Sequence, residues 1–291
     1  MTLDRLLFGD NQFFGINHMS EEKARAQAMQ FQDTSAIIGV LDAALDEGVR
    51  TFMCTTHDRI ADICDHMRAN PARYQDFRFY PCMPYAHKSA NAVTEHGMIG
   101  AALHFMPDEG LFKTALRGAS SFASKDIEGI LKILVDVEMK MFRGLNTPVI
   151  FLQNVIVDLI LGMDMTEVFT IFHDHVRKKY CAEPGYITMN MPRLYQALTA
   201  VGIENPIICS NINKIGFRTC GGLAAYEATL RDGKLRAIAM SIFASGAIPP
   251  REAIQWLSTL PNLDGIVFGA SSRRNIAATK ALVDEYFGVA A

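Results

Sequence analysis

The chain alternates short, nearly unbroken apolar runs with longer stretches in which apolar residues return every three or four positions. The runs predict strands at Leu6–Gln12, Arg50–Thr55, Phe77–Met83, Pro148–Gln153, Gly185–Asn190, Pro206–Asn211, Arg236–Ser241 and Gly265–Ala270. Continuous apolar runs, rather than strict alternation, are what strands covered on both faces require. The stretches between them predict helices at Ser35–Glu47, Asp58–Ala69, Lys125–Phe142, Thr166–Lys179, Pro192–Val201, Ala224–Arg231, Pro250–Leu260 and Asn275–Phe287. In the first of these, Ile37, Ile38, Leu41, Ala44 and Leu45 share one face, and Gly48 follows as a helix stop. Pro192 and Pro250 suit first-turn positions, where a missing N–H costs nothing.

Strands alternating with helices in this way predict a single (β/α)8 barrel of the TIM type, spanning residues 1–291 as one domain. Right-handed βαβ units repeated eight times can close on themselves and so remove exposed sheet edges. The rival is an open, doubly wound sheet, whose GxGxxG turn before the first helix is absent here. The rhythm breaks once. Residues 89–146, between the third and fourth strands, form an insertion far longer than one crossover needs. Within it Lys125–Phe142 reads as the crossover helix and Asn91–Met106 as an extra one, followed by the small-residue stretch RGASSFAS. The insertion is expected to be a lid, a homo-oligomer contact or a packing decoration.

Composition narrows the functional class. At 49% hydrophobic residues the chain has material for a large core, and a net charge of −3 argues against nucleic acid or an anionic membrane as partner. The most apolar stretch, VIFLQNVIVDLILGM, is interrupted by Gln153, Asn154 and Asp158, which is too polar for a membrane span. The opening MTLDRLLFGD has no apolar signal-peptide core, and the six cysteines form no CxxC pair. Reduced thiols in a cytoplasmic protein acting on a small-molecule ligand are therefore expected.

In a barrel, chemistry sits in the loops after the strands. The strongest candidate is the turn GASSRRN, with Gly269, Ser271, Ser272, Arg273 and Arg274. Small residues let backbone N–H groups approach an anion, the next helix N-terminus adds positive dipole, and arginine adds a bidentate donor. Ser245 and Gly246 in the seventh loop would extend this phosphate site. A second constellation joins CTTHD, Cys54 to Asp58, with Tyr85, His87 and Lys88 of YAHK. Either His57 or His87 could serve as a general base, and Lys88 as an acid or a Schiff-base nucleophile. Asp10 is the carboxylate expected to point into the barrel mouth. Other strand ends carry the amides Asn11, Gln12, Gln153, Asn154, Asn190, Asn211 and Asn213, which read polar ligands better than they bind zinc, so no metal is expected.

Several segments carry a family resemblance. LLFGDNQFFGINHMSEEKA and IIGVLDAALDEGVRTFMCTT, then MNMPRLYQAL, PIICSNINKIGF, AIAMSIFASGAI and GIVFGASSRRNIAATKAL, resemble the strand regions of the aldo-keto reductases. The resemblance implies a barrel oxidoreductase that uses NADP(H) on a small carbonyl or hydroxyl compound. Asn190, Ser241, Ser245, Gly246, Gly269, Ser271, Ser272, Arg273 and Arg274 would then bind the cofactor. The family's catalytic set is not retained. Its strand-two Asp falls on Cys54, its Tyr on the region His57–Asp58–Arg59, its Lys on a strand without one, and its His on Gln153 or Asn154. The Tyr that stacks on nicotinamide falls near Asn213. A replacement set would come from Asp10, His57, Tyr85, His87 and Lys88. Two further readings are a cofactor-free lyase, aldolase or isomerase acting on a small phosphorylated metabolite, and a catalytically inert binding subunit.

Overall fold

The computed structural model describes residues 2–15, 21–84 and 124–288. Its strands are β1 (Leu6–Gly9), β2 (Thr51–Thr55), β3 (Arg78–Met83), β4 (Val149–Leu152), β5 (Glu183–Thr188), β6 (Ile207–Asn211), β7 (Arg236–Met240) and β8 (Leu263–Phe268). All pair in parallel in sequence order, and β8 closes back onto β1. The apolar runs foretold every strand. Their ends moved by a few residues, because hydrophobicity continues into turns that leave the sheet. After Gly9, for example, the chain folds into a 3-10 turn at Asn11–Phe14 instead of extending β1 to Gln12.

The helices in chain order are α1 (Glu21–Gln30), α2 (Thr34–Asp46), α3 (Asp58–Ala69), the single turn α4 (Pro71–Tyr74), α5 (Ser124–Met139) and α6 (Asn154–Gly162). They continue with α7 (Glu167–His175), α8 (Met191–Ala200), α9 (Leu223–Asp232), α10 (Pro250–Leu257) and α11 (Arg273–Phe287). Two of these carry no pattern legible in the sequence. The sequence of α1, EEKARAQAMQ, has only alanines and one methionine as apolar residues and so shows no stripe. The sequence of α6, NVIVDLILG, is apolar on nearly all sides and merges with the strand run before it. The insertion stands where expected, between β3 and β4. Of it, α5 and the turn Lys140–Phe142 are described, whereas the expected helix at Asn91–Met106 lies outside the described residues.

The barrel has two apolar shells. Leu7, Met53, Tyr80, Cys82, Phe151, Ile187, Cys209 and Ile238 point inward and fill the cylinder. The alternate residues, among them Phe8, Phe52, Cys54, Phe79, Tyr186 and Ile208, face outward under the helices. Filling from both sides makes the cylinder a packed core rather than a pore and leaves its C-terminal rim as the place where polar groups converge. Among the described residues no helix is long and apolar enough to cross a membrane.

Candidate active site

The C-terminal rim begins with Asp10, one residue past β1. Neighbouring register pairs Gly9 with Met53, so Asp10 lies beside the end of β2. Its Oδ2 accepts the backbone N–H of Thr55 at 2.7 Å and the Thr55 hydroxyl at 2.7 Å. The residue is 6% exposed. Burial pushes its carboxyl above the ordinary value, although the Thr55 donors pull the other way. Cys54 and Cys82 are its titratable neighbours, and burial raises both thiols well above the usual range, so they remain neutral and inert. Cys54 faces outward into the sheet–helix layer and is fully buried, which removes it from any ligand; Thr55 is the inward residue at this level.

His57 caps the N-terminus of α3, its Nδ1 accepting the Arg59 N–H at 3.1 Å. A neutral ring that accepts at Nδ1 carries its proton at Nε2. The imidazole stacks on Phe14 at 4.2 Å between centroids, and the Arg59 guanidinium lies over that same phenyl ring at 5.0 Å. Arg59 also donates to the carbonyls of Phe13 and Phe31, so it clamps the loop after β1 to α3. Asp10 and His57 thus flank the paired ends of β1 and β2. Tyr85, His87 and Lys88 lie outside the described residues.

The amides that stud the rim divide by role. Gln12 is buried; its Nε2 donates to the Gly9 carbonyl at 2.8 Å, and its Oε1 lies against Gly269, where a Cβ would collide with it. The Asn211 amide donates to the Arg218 carbonyl at 3.1 Å, and Asn213 bonds Phe217 through both its amide atoms. These side chains fold the loop after β6 rather than await a ligand. Asn190 accepts the Arg193 N–H at 3.3 Å as the cap of α8. Between them Tyr226 of α9, which sequence reading did not single out, donates to the Met189 carbonyl at 2.6 Å and meets Ser210 at 3.1 Å. Asp158 of α6 likewise accepts from the Thr188 hydroxyl and the Met189 N–H. Burial raises the Asp158 carboxyl despite those two donors.

The loop after β7, like the loop after β6, holds several residues at positive φ. Ser241, Ala244 and Ser245 have φ of 54°, 45° and 57°, and Gly246 follows at 96°. Non-glycine residues adopt the left-handed region at a cost. Gly246 is exposed, and its N–H donates to the Phe243 carbonyl at 2.8 Å, as the Ala244 N–H does to that of Ser241. Beyond β8, Ser272 caps α11 by accepting the Asn275 N–H at 3.4 Å, and the Ser271 carbonyl accepts from Gln30 of α1. Arg273 pairs with Asp46 and, at 3.6 Å, with Glu47, both at the C-terminal end of the α2 region. Arg274 is exposed and has no hydrogen bond or ion pair among the described residues. The turn therefore brings together Gly269, Ser271, Ser272 and Arg274 at a helix N-terminus, with Arg273 drawn aside. No group of three or more metal-ligating side chains comes together among the described residues.

The sequence matches no protein-family model and no curated protein. Solved structures do resemble it. A Pseudomonas aeruginosa protein described as an aldo-keto reductase superposes with a TM-score of 0.62 at 12% identity, covering 98% of this chain and 91% of the other. The holo form of an aldo-keto reductase from Bacillus halodurans gives 0.57 at 11% identity, covering 96% and 86%. A structure described as a 2,5-diketo-D-gluconic acid reductase B gives 0.58 at 12% identity, covering 96% and 82%. The chain is thus aldo-keto-reductase-like in fold over nearly its whole length.

Proposed function

We propose that this barrel is a divergent oxidoreductase that binds NADP(H) across the loops after β7 and β8 and acts on a small carbonyl or hydroxyl compound. The observation that carries the reading is the Ser272-capped start of α11, where the small residues Gly269 and Ser271 and the exposed Arg274 lie in one turn. A helix N-terminus offers backbone N–H groups and about half a positive charge to an anion. Phosphates commonly lie at this part of a barrel. The residues fit the phosphate-bearing portion of the cofactor: Ser241, Ser245, Ser271 and Ser272 offer hydroxyls, Gly246 and Gly269 are exposed and carry no side chain, and Arg274 offers a guanidinium with no ion pair among the described residues. Arg273 would have to leave Asp46 and Glu47 to join them. Asn190, occupied as a helix cap, would serve by holding the β5 rim in place.

When bound, the dinucleotide supplies or accepts a hydride. The chain's own residues bind, orient and exchange protons, and the catalytic set is drawn from Asp10, His57, Tyr85, His87 and Lys88. Isothermal calorimetry with NADPH tests the reading. Arg274→Ala is expected to weaken binding about 10-fold or more, as loss of a charge-assisted pair does. Tm should stay unchanged, because this arginine has no hydrogen bond or ion pair among the described residues. Absence of NADPH binding at millimolar concentration would overturn the proposal.

A further inference from the structure

The end of β2 presents no charged group toward the rim, since Cys54 faces outward and Thr55 is a hydroxyl. A carboxyl nevertheless arrives there from the neighbouring strand. We propose that Asp10 is the proton-donating acid of this site, its Oδ1 hydroxyl delivering a proton to the oxygen of a bound carbonyl compound. The inference deepens the reading above and rests on it for the reduced nicotinamide dinucleotide that completes the reaction.

Thr55 makes the two carboxyl oxygens unequal. Both Thr55 donors, N–H and O–H, converge on Oδ2 at 2.7 Å, so in the neutral carboxyl Oδ2 is the carbonyl oxygen and the proton sits on Oδ1. The surroundings favour the neutral form, because the residue is 6% exposed. Burial accordingly raises its pKa. The same two donors then stabilise the carboxylate formed when the proton leaves, so the group is poised to give it up.

The step balances. The Oδ1–H bond breaks and an O–H bond forms on the substrate, while the carbonyl π pair moves onto that oxygen. The new C–H bond takes its electron pair, as hydride, from the reduced dinucleotide, which is oxidised as the carbonyl becomes an alcohol. Water then returns a proton to Asp10.

Difference infrared spectroscopy of wild type against Asp10→Asn tests this without a substrate. A carboxylic-acid carbonyl band is expected in slightly acidic buffer, absent from the Asn variant and lost from wild type as pH rises. A Thr55→Val variant, which removes one donor to Oδ2, is expected to keep that band to higher pH. It serves equally should Asp10→Asn fail to fold. With NADPH and 4-nitrobenzaldehyde as probe, Asp10→Asn should lower kcat by about 100-fold or more, the usual worth of a general acid. Its calorimetric affinity for NADPH should match that of wild type. A carboxyl ionised throughout the titration, or undiminished turnover in Asp10→Asn, would overturn the assignment. Failure of both proteins to bind NADPH, with the acid band present, would instead overturn the cofactor reading.

Discussion

Asp10 shows how one residue can be costly to the fold and apt for chemistry. A carboxyl whose native pKa lies above its unfolded value binds its proton more tightly when folded. Between the ordinary value of 3.8 and the raised native one, stability therefore falls as pH rises. Asp10→Asn removes that titration while keeping an oxygen for Thr55 to bond. We expect the Asn variant to melt above wild type at neutral pH and the two to converge as pH falls toward 3.8; thermal melts across pH read this directly. A variant less stable than wild type at every pH would mean that the carboxylate contributes more by its hydrogen bonds than burial costs. The sequence marked Asp10 as a rim carboxylate, because it follows a strand by one residue. It did not mark Thr55 as its partner, since the two lie 45 positions apart and meet only through strand pairing.

At the scale of elements, the rim is fastened by side chains reaching between neighbours. Tyr226 of α9 ties the ends of β5 and β6 together, donating to the Met189 carbonyl and also lying 3.2 Å from the Met191 N–H. Replacing it with Phe takes this acceptor from the buried Met191 N–H, while the Met189 carbonyl keeps the Cys220 N–H. The expected cost is about 1–3 kcal/mol. Urea denaturation measures that loss, and an unchanged midpoint would show that water replaces the hydroxyl. The amides at strand ends teach the same lesson from the other side. Sequence position announced them as ligand readers, yet Asn211 and Asn213 spend their hydrogen bonds on the loop after β6. Composition at a strand end identifies a group able to bond, while the path of the following loop decides what it bonds.

For the whole molecule, closure depends on how inward residues share a small cylinder. Gly185 on β5 stands opposite Phe151 on β4, and a methyl group added there would overlap the phenyl ring. Gly185→Ala forces a shift across an interior that Tyr80, Ile187 and Cys209 already fill. The expected destabilisation is about 1–3 kcal/mol, typical of overpacking, with the far-ultraviolet spectrum unchanged. Chemical denaturation followed by circular dichroism checks both parts, and a neutral outcome would show that the cylinder yields more than its packing suggests. Solved structures described as aldo-keto reductases share this architecture at 9–12% identity, so the cylinder persists while the chemistry at its rim is free to diverge.

By itself, the order of apolar runs and amphipathic stretches determined the parallel barrel, because strands covered on both faces and joined by helices have few other ways to bury what they carry. It also announced the insertion and the small-residue turn after β8, both being local features of composition and length. The tertiary structure alone decided that Cys54 faces the helices while Thr55 faces the rim, that Arg273 turns aside to Asp46 while Arg274 does not, and that the loop after β7 coils left-handed. Each of these depends on contacts between distant segments, and side-chain direction in a closed barrel is set by the register of neighbouring strands rather than by the residues on either side in the chain.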